Sequence, residues 1–158
     1  MAVSRFFSVQ FNGVSVSAVQ DLFNITAASD RTAVIREIRI SQSSDVGDAA
    51  EEGLLIALKS GQTTNGTGGT TPSAVAFSLN QGSAGFSARA NDATTQASGG
   101  TIVTHWSEVW NIRMPWIWLP PTGYGIALEA SRKFTVDLET APADAITTSG
   151  TIVVEEFG

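Results

Sequence analysis

Alternation of apolar and polar residues runs through most of this 158-residue chain. It is densest in residues 104–121, THWSEVWNIRMPWIWLPP. The even positions there are Trp106, Glu108, Trp110, Ile112, Met114, Trp116 and Trp118, all but Glu108 large and apolar. The odd positions are mixed. A strand sends alternate side chains to opposite faces, so this pattern predicts one buried face and one partly wet face. Pro115 cannot donate a ladder hydrogen bond, which predicts two strand segments meeting at a kink. The first segment, with Trp106 and Trp110, reads as core. The second, with Trp116 and Trp118 beside Pro120 and Pro121, reads either as core or as a surface for another subunit, and the surface is the choice made here.

Elsewhere the same periodicity predicts further strands. Residues 6–11 and 14–19 flank Asn12-Gly13, a pair that favours the positive φ of a type I′ turn, so a hairpin is expected. Residues 22–27 predict a strand after a turn capped by Asp21. In residues 33–42, AVIREIRISQ, Val34, Arg36, Ile38 and Ile40 share one face, and Ile35, Glu37 and Arg39 the other. Residues 54–59, LLIALK, predict a buried strand between two glycines. Residues 124–130, 134–140 and 147–157 complete a set of nine or ten strands with no convincing helix. Many short strands with regular turn signals predict an all-β antiparallel sandwich, and a jelly-roll-like one is favoured over a closed barrel. The chain is short enough to read as one domain, 1–158.

One region breaks the pattern. Residues 61–100 are rich in Gly, Thr and Ser, with Val75, Phe77, Leu79 and Phe86 as sparse anchors. Short strands are expected at 75–79 and 86–90. A connection this long in a compact domain is usually functional. It reads either as an extended arm laid over a partner or as an ordered but idle loop.

Composition narrows the function. Charged residues are 15% of the chain and apolar ones 42%. The net charge is −6, with no basic stripe, and phosphate contacts need clustered Lys and Arg, so no nucleic-acid partner is expected. There are no cysteines, which removes disulfides and thiolate metal sites. The first residues carry no secretory leader pattern, and no run is long and apolar enough for a membrane helix. Asp45, Asp48, Glu51 and Glu52 form an acidic loop at 43–53, but their spacing does not follow the EF-hand ligand ladder. That loop reads as solvated, with a possible short helical turn from Ala49.

Catalytic motifs are missing. The single histidine, His105, would need a serine on one nitrogen and a carboxylate on the other to support nucleophilic chemistry. Glu155 and Glu156 are adjacent in a strand pattern, so they point to opposite faces and cannot share one site. The chain reads as non-enzymatic, without cofactor or metal. Exposed aromatic rings bury large area at low entropic cost in protein interfaces, and they also stack on sugars. The residues assigned to such a surface are Trp116, Trp118, Leu119, Pro120, Tyr124, Phe77 and Phe86.

The segments AVQDLFNITAAS, IREIRISQSSDVGDAAEEGLL, NGTGGTTP and EVWNIRMPWIWLP together cover much of the chain. On these it resembles the capsid auxiliary proteins of tailed bacteriophages, the cement or decoration proteins with a jelly-roll-like body. The resemblance implies a structural protein on the outer surface of the virion, made in the host cytoplasm. It implies binding between subunits of the major capsid protein, self-association as a homotrimer, and reinforcement of the head. A carbohydrate- or receptor-binding sandwich is the alternative.

Overall fold

The computed structural model describes residues 4–45, 47 and 51–158. Eleven strands are assigned: β1 Ser4–Val16, β2 Gln20–Thr26, β3 Thr32–Gln42, β4 Gly53–Ser60, β5 Val75–Ala76, β6 Ser87–Asp92, β7 Val103–Asn111, β8 Trp116–Trp118, β9 Ile126–Leu128, β10 Lys133–Leu138 and β11 Ile146–Phe157. They form two antiparallel sheets packed face to face, a β-sandwich. Sheet A runs β5-β1-β11-β3-β8, with β9 also paired to β3, and sheet B runs β6-β2-β10-β4-β7. The pairing is nested. β1 pairs with β11, β2 with β10, β3 with β8 and β9, and β4 with β7. In these pairs the early half of the chain lies against the late half.

Between the sheets sits one core. Phe7, Val9, Ile38, Ile40, Ile152 and Val154 from sheet A meet Phe23, Ile25, Leu54, Ile56, Phe134 and Val136 from sheet B. Phe11 and Phe23 bridge the two sheets with ring centroids 5.0 Å apart.

Two strand expectations are corrected here. Asn12-Gly13 makes no hairpin turn. β1 runs straight through it, because β11 is long enough to pair with both halves, and the ladder slips one step between Phe11 and Val14. Gly13, at φ 65°, serves a bulge rather than a turn. β3 carries a second bulge, since Glu37 pairs with Val153 and Ile35 with Val154. Arg36 is the extra residue, and the slip moves Ile35 into the core with Ile38 and Ile40. Val34 and Arg36 no longer share a face with those isoleucines.

The excursion at 61–100 packs against its own chain. Isolated bridges Thr64–Ser98, Thr67–Thr95 and Thr70–Ala90 fold it on itself and against the β6 edge. Within it, β5 is two residues long, shorter than the strand expected at 75–79, and β6 begins one residue later than the strand expected at 86–90 and runs on to Asp92. The segment covers the outer face of sheet B, where Asp21, Asn24, Asp92, Thr135 and Asp137 are buried. Ala97 N donates to Asp21 Oδ2 at 2.7 Å and Gly69 N to Asp92 Oδ1 at 3.0 Å. Gln96 Nε2 donates to Asp137 Oδ1 at 2.5 Å and Gln62 Nε2 to Thr135 Oγ1 at 2.9 Å. Glycine is needed for this closeness. A Cβ on Gly66 would sit 2.6 Å from Asp21 Oδ2 and 2.7 Å from Thr95 O. The lack of apolar residues in the excursion reflects a polar underside, so polarity here marks a buried hydrogen-bonded layer.

Candidate interaction surface

The tryptophan stretch divides at Pro115, but in the reverse sense to the expectation. β7 belongs to sheet B and β8 to sheet A, so the kink is a crossing from one sheet to the other. In β8, Trp116 pairs with Ile40 and Trp118 with Ile38, whose side chains face the interior. Trp116 and Trp118 are accordingly buried, with Trp118 only 8% exposed. Trp110 is also core, and its Nε1 donates to Met114 O at 2.6 Å. Trp106 is 49% exposed, because it stands on the edge strand β7 where the core ends. Because the chain changes sheets at Pro115, one period of two does not carry through it, and Trp106 and the Trp116–Trp118 pair take exchanged roles.

Phe86 is likewise core and not surface. It packs edge-on against Phe7 at 5.6 Å, while Glu156 Oε1 accepts from the N–H groups of Gly85 and Phe86. Leu119, Tyr124 and Phe77, assigned to the same surface, are exposed, Tyr124 by 71%, and Pro120 is half-buried.

These exposed residues converge on the outer face of sheet A. β5 lies on the β1 edge, so Phe77 stacks on Phe6 with ring centroids 6.5 Å apart and planes at 23°. Phe77 N donates to Phe6 O at 3.0 Å, which fixes the pair. Across the sheet, the turn after β8 raises Leu119, Pro120, Pro121 and Tyr124. Between the two walls is an open trough of about 560 Å³. Its floor holds Val153 and the Arg36–Glu155 ion pair. Arg36 Nη1 also donates to Tyr124 O at 2.6 Å, so the β3 bulge positions the tyrosine turn. Phe6, Arg36 and Glu155 were not assigned to the surface from sequence. Alternation of Phe6 with the core residue Phe7 was the available signal for the first.

Glu155 and Glu156 face opposite ways, as their adjacency predicts. Glu155 pairs with Arg36 on the outer face, whereas Glu156 pairs with Arg5 and Arg31 at the end of the core. In the layer under the excursion, burial raises the Asp21 carboxyl to about 6, against the bonds from Asn24 and Ala97, with Asp137 and Asp92 adding repulsion. Burial also raises Asp137 above the usual range, outweighing its 2.6 Å bond to Lys59. For Lys59, burial lowers the ammonium pKa, but the bonds to Asp137 and Glu139 outweigh it and the net shift is upward. Both partners rise because Asp137 is the more deeply buried of the two.

His105 Nε2 lies 2.7 Å from Ser60 Oγ at an exposed position, and among the described residues no carboxylate is bonded to its ring. Nor do those residues contain a cluster of three His, Cys, Asp or Glu that could hold a metal ion. In the acidic loop, Glu52 accepts from Ala143 N at 2.5 Å and Glu51 lies 3.7 Å from Arg113. Asp48 and the turn expected from Ala49 lie outside the described residues. No helix is long and apolar enough to cross a membrane among the described residues.

No protein-family model matches the chain, and no curated protein does. Among solved structures, a chain of the T13 IBDV viral particle is similar over 96% of this chain and 39% of its own length. The identity is 14% and the TM-score 0.21, too low for the likeness to carry an argument.

Proposed function

We propose that this protein is a non-enzymatic virion structural protein, a cement or decoration protein that binds between major capsid subunits and stabilises a phage head. The observation that carries the reading is the apolar trough on the outer face of sheet A. Phe6, Phe77, Leu119 and Tyr124 are exposed to water there and take no part in the core. Contiguous exposed apolar surface of this kind marks an interaction site. The nested strand order supports a jelly-roll reading of the sandwich, a fold used in capsid and lectin domains alike. Fold alone does not assign function, so the argument rests on the trough and on the sequence resemblance. The resemblance supplies the homotrimer and the position outside the shell, to which the net charge of −6 is suited, away from DNA.

The test is cosedimentation with shells assembled from the major capsid protein of the same phage. The wild type is expected to pellet with shells and to raise their resistance to heat. Leu119→Asp with Phe77→Ala is expected to weaken pelleting at least tenfold while the melting curve stays unchanged. Pelleting of the double variant equal to wild type would remove the trough from the contact.

A second reading, carbohydrate binding, is favoured by one observation: Tyr124 and Phe77 flank charged Arg36, Glu37 and Glu155 within the same trough. Aromatic faces beside polar groups suit a sugar ring. Trp116 and Trp118 are too buried for that role. Glycan-array binding that disappears in Tyr124→Ala would favour this reading over the first.

A further inference from the structure

Sheet B ends at β7, and among the described residues no strand pairs with the far edge of β7. Residues 103–109 are exposed on both faces, including Val103, Trp106 and Val109. Edge strands are normally guarded by lysine, proline, shortness or a covering segment. β7 is nine residues long and contains no Lys, Arg or Pro. Its one bulge lies near its start, opposite Leu58 and Lys59.

The direction of its free backbone groups follows from two hydrogen bonds. Ile112 N donates to Glu52 O at 3.2 Å, continuing the register in which Asn111 faces Gly53. Glu139 N donates to Leu55 O at 2.8 Å, so Leu55 turns its carbonyl toward β10. Backbone groups alternate in direction along a strand, so Leu54, Ile56 and Leu58 face β7. Their partners Trp110, Glu108 and Trp106 therefore face β4, and the N–H and C=O of Ser107 and Val109 point outward.

We propose that β7 pairs antiparallel with β7 of a second copy, across a two-fold axis through Ser107. This register overlaps all nine residues, since Ser107 is the midpoint of Val103–Asn111. It sets Trp106 opposite the partner's Glu108 on the core-side face. Within one chain the Trp106 Nε1 donor already reaches Glu108 Oε2, at 3.3 Å, so the two side chains are complementary. A shift of the axis to Glu108 would place two carboxylates directly opposite one another, which is destabilising. Beside Trp106, a groove of about 310 Å³ lined by Ile117, Trp118, Leu119 and Tyr124 opens on the same edge. The second copy would close its mouth and cover the exposed part of Trp106. The result joins two five-stranded sheets into one, an isologous contact in which the same patch serves both subunits. The inference does not rest on the capsid reading: an isologous contact closes a dimer and is distinct from the three-fold contact of the homotrimer that the resemblance implies, and the two are separated by their variants.

Disulfide trapping tests it directly. In a hydrogen-bonded antiparallel pair the Cα atoms are about 5.5 Å apart, within the range a disulfide spans. The chain has no native cysteine. Ser107→Cys, with dissolved oxygen taking up the two electrons and two protons of the paired thiols, is expected to give a covalent dimer on non-reducing gels. Val109→Cys, whose opposite residue is His105, is expected to stay monomeric under the same conditions. Val109→Pro removes an outward N–H without breaking the β4 ladder and should weaken dimerisation at least tenfold in sedimentation equilibrium, with an unchanged melting curve. A wild type that sediments as a strict monomer would overturn the proposal. So would an oligomer in which Ser107→Cys fails to cross-link, or in which the cross-link forms only with a capsid protein strand.

Discussion

The two outer faces of the sandwich are opposites. The outer face of sheet B over β2, β6 and β10 is polar and buried, with Asp21, Asp92, Asp137 and Asn24 under the glycine-rich excursion. The outer face of sheet A is largely apolar where the trough lies, and open to water. Residue polarity therefore says little about which face is covered. What decides is whether the chain can approach closely enough to saturate the groups beneath. Glycines at 66 and 69 permit that approach over sheet B, since a Cβ at Gly69 would lie 2.1 Å from Ala90 O. Over sheet A the chain lays the two-residue β5 and the 119–124 turn at the margins, and the middle stays open to water.

Substitutions can break that contrast, and the largest effect sets the scale. Trp118 stands on the inner face of sheet A, and Trp118→Ala should cost about 3–5 kcal/mol of stability, measured by urea unfolding, because a buried indole leaves a large cavity. If the cost is below about 1 kcal/mol, the burial of β8 is refuted. Next comes Gly66→Val, expected to cost about 1–3 kcal/mol by overpacking against Asp21 and Thr95. Hydrogen exchange should then accelerate at Ala97 and Gly69, whose N–H groups bond the buried aspartates, while core amides stay protected. Unchanged exchange there would mean the excursion does not act as a fitted cover.

A pH effect of similar or smaller size belongs to the covered face. Asp21 has a folded pKa of about 6 against an ordinary value of 3.8. The native state thus holds a proton that the unfolded chain has released between those values. Its contribution is present below about pH 4 and is lost as pH rises to 6. Asp21→Asn should flatten this slope and stabilise the protein at neutral pH by roughly 1–2 kcal/mol relative to wild type. A slope that persists in the variant would assign it to another group. The smallest effect is expected on the open face. Tyr124→Ala and Leu119→Asp should each change stability by less than about 0.5 kcal/mol, since exposed side chains rarely support the fold. A larger loss would show that the trough is part of the folded structure and not spare surface.

Much of the architecture is legible in the residues alone. The alternation in 134–140 and 147–157, the apolar run at 54–59 and the absence of any helical period determine an all-β sandwich, and adjacency places Glu155 and Glu156 on opposite faces. These are consequences of local geometry, because side chains alternate wherever a strand forms. Asn12-Gly13 shows the limit. The pair specifies positive φ, but a turn and a bulge both use it, and only the long partner β11 selects the bulge. Arg36 shows the same for β3, where a slip against β11 sends Ile35 inward. For the surface, Leu119, Tyr124 and Phe77, assigned to an interface from sequence, lie exposed, whereas Trp116 and Trp118 are buried and Trp106 is half-exposed. Periodicity fixes which residues share a face within a strand. Which face is the inside, and whether the next strand belongs to the same sheet, depends on partners distant in the chain, and only the tertiary structure supplies those.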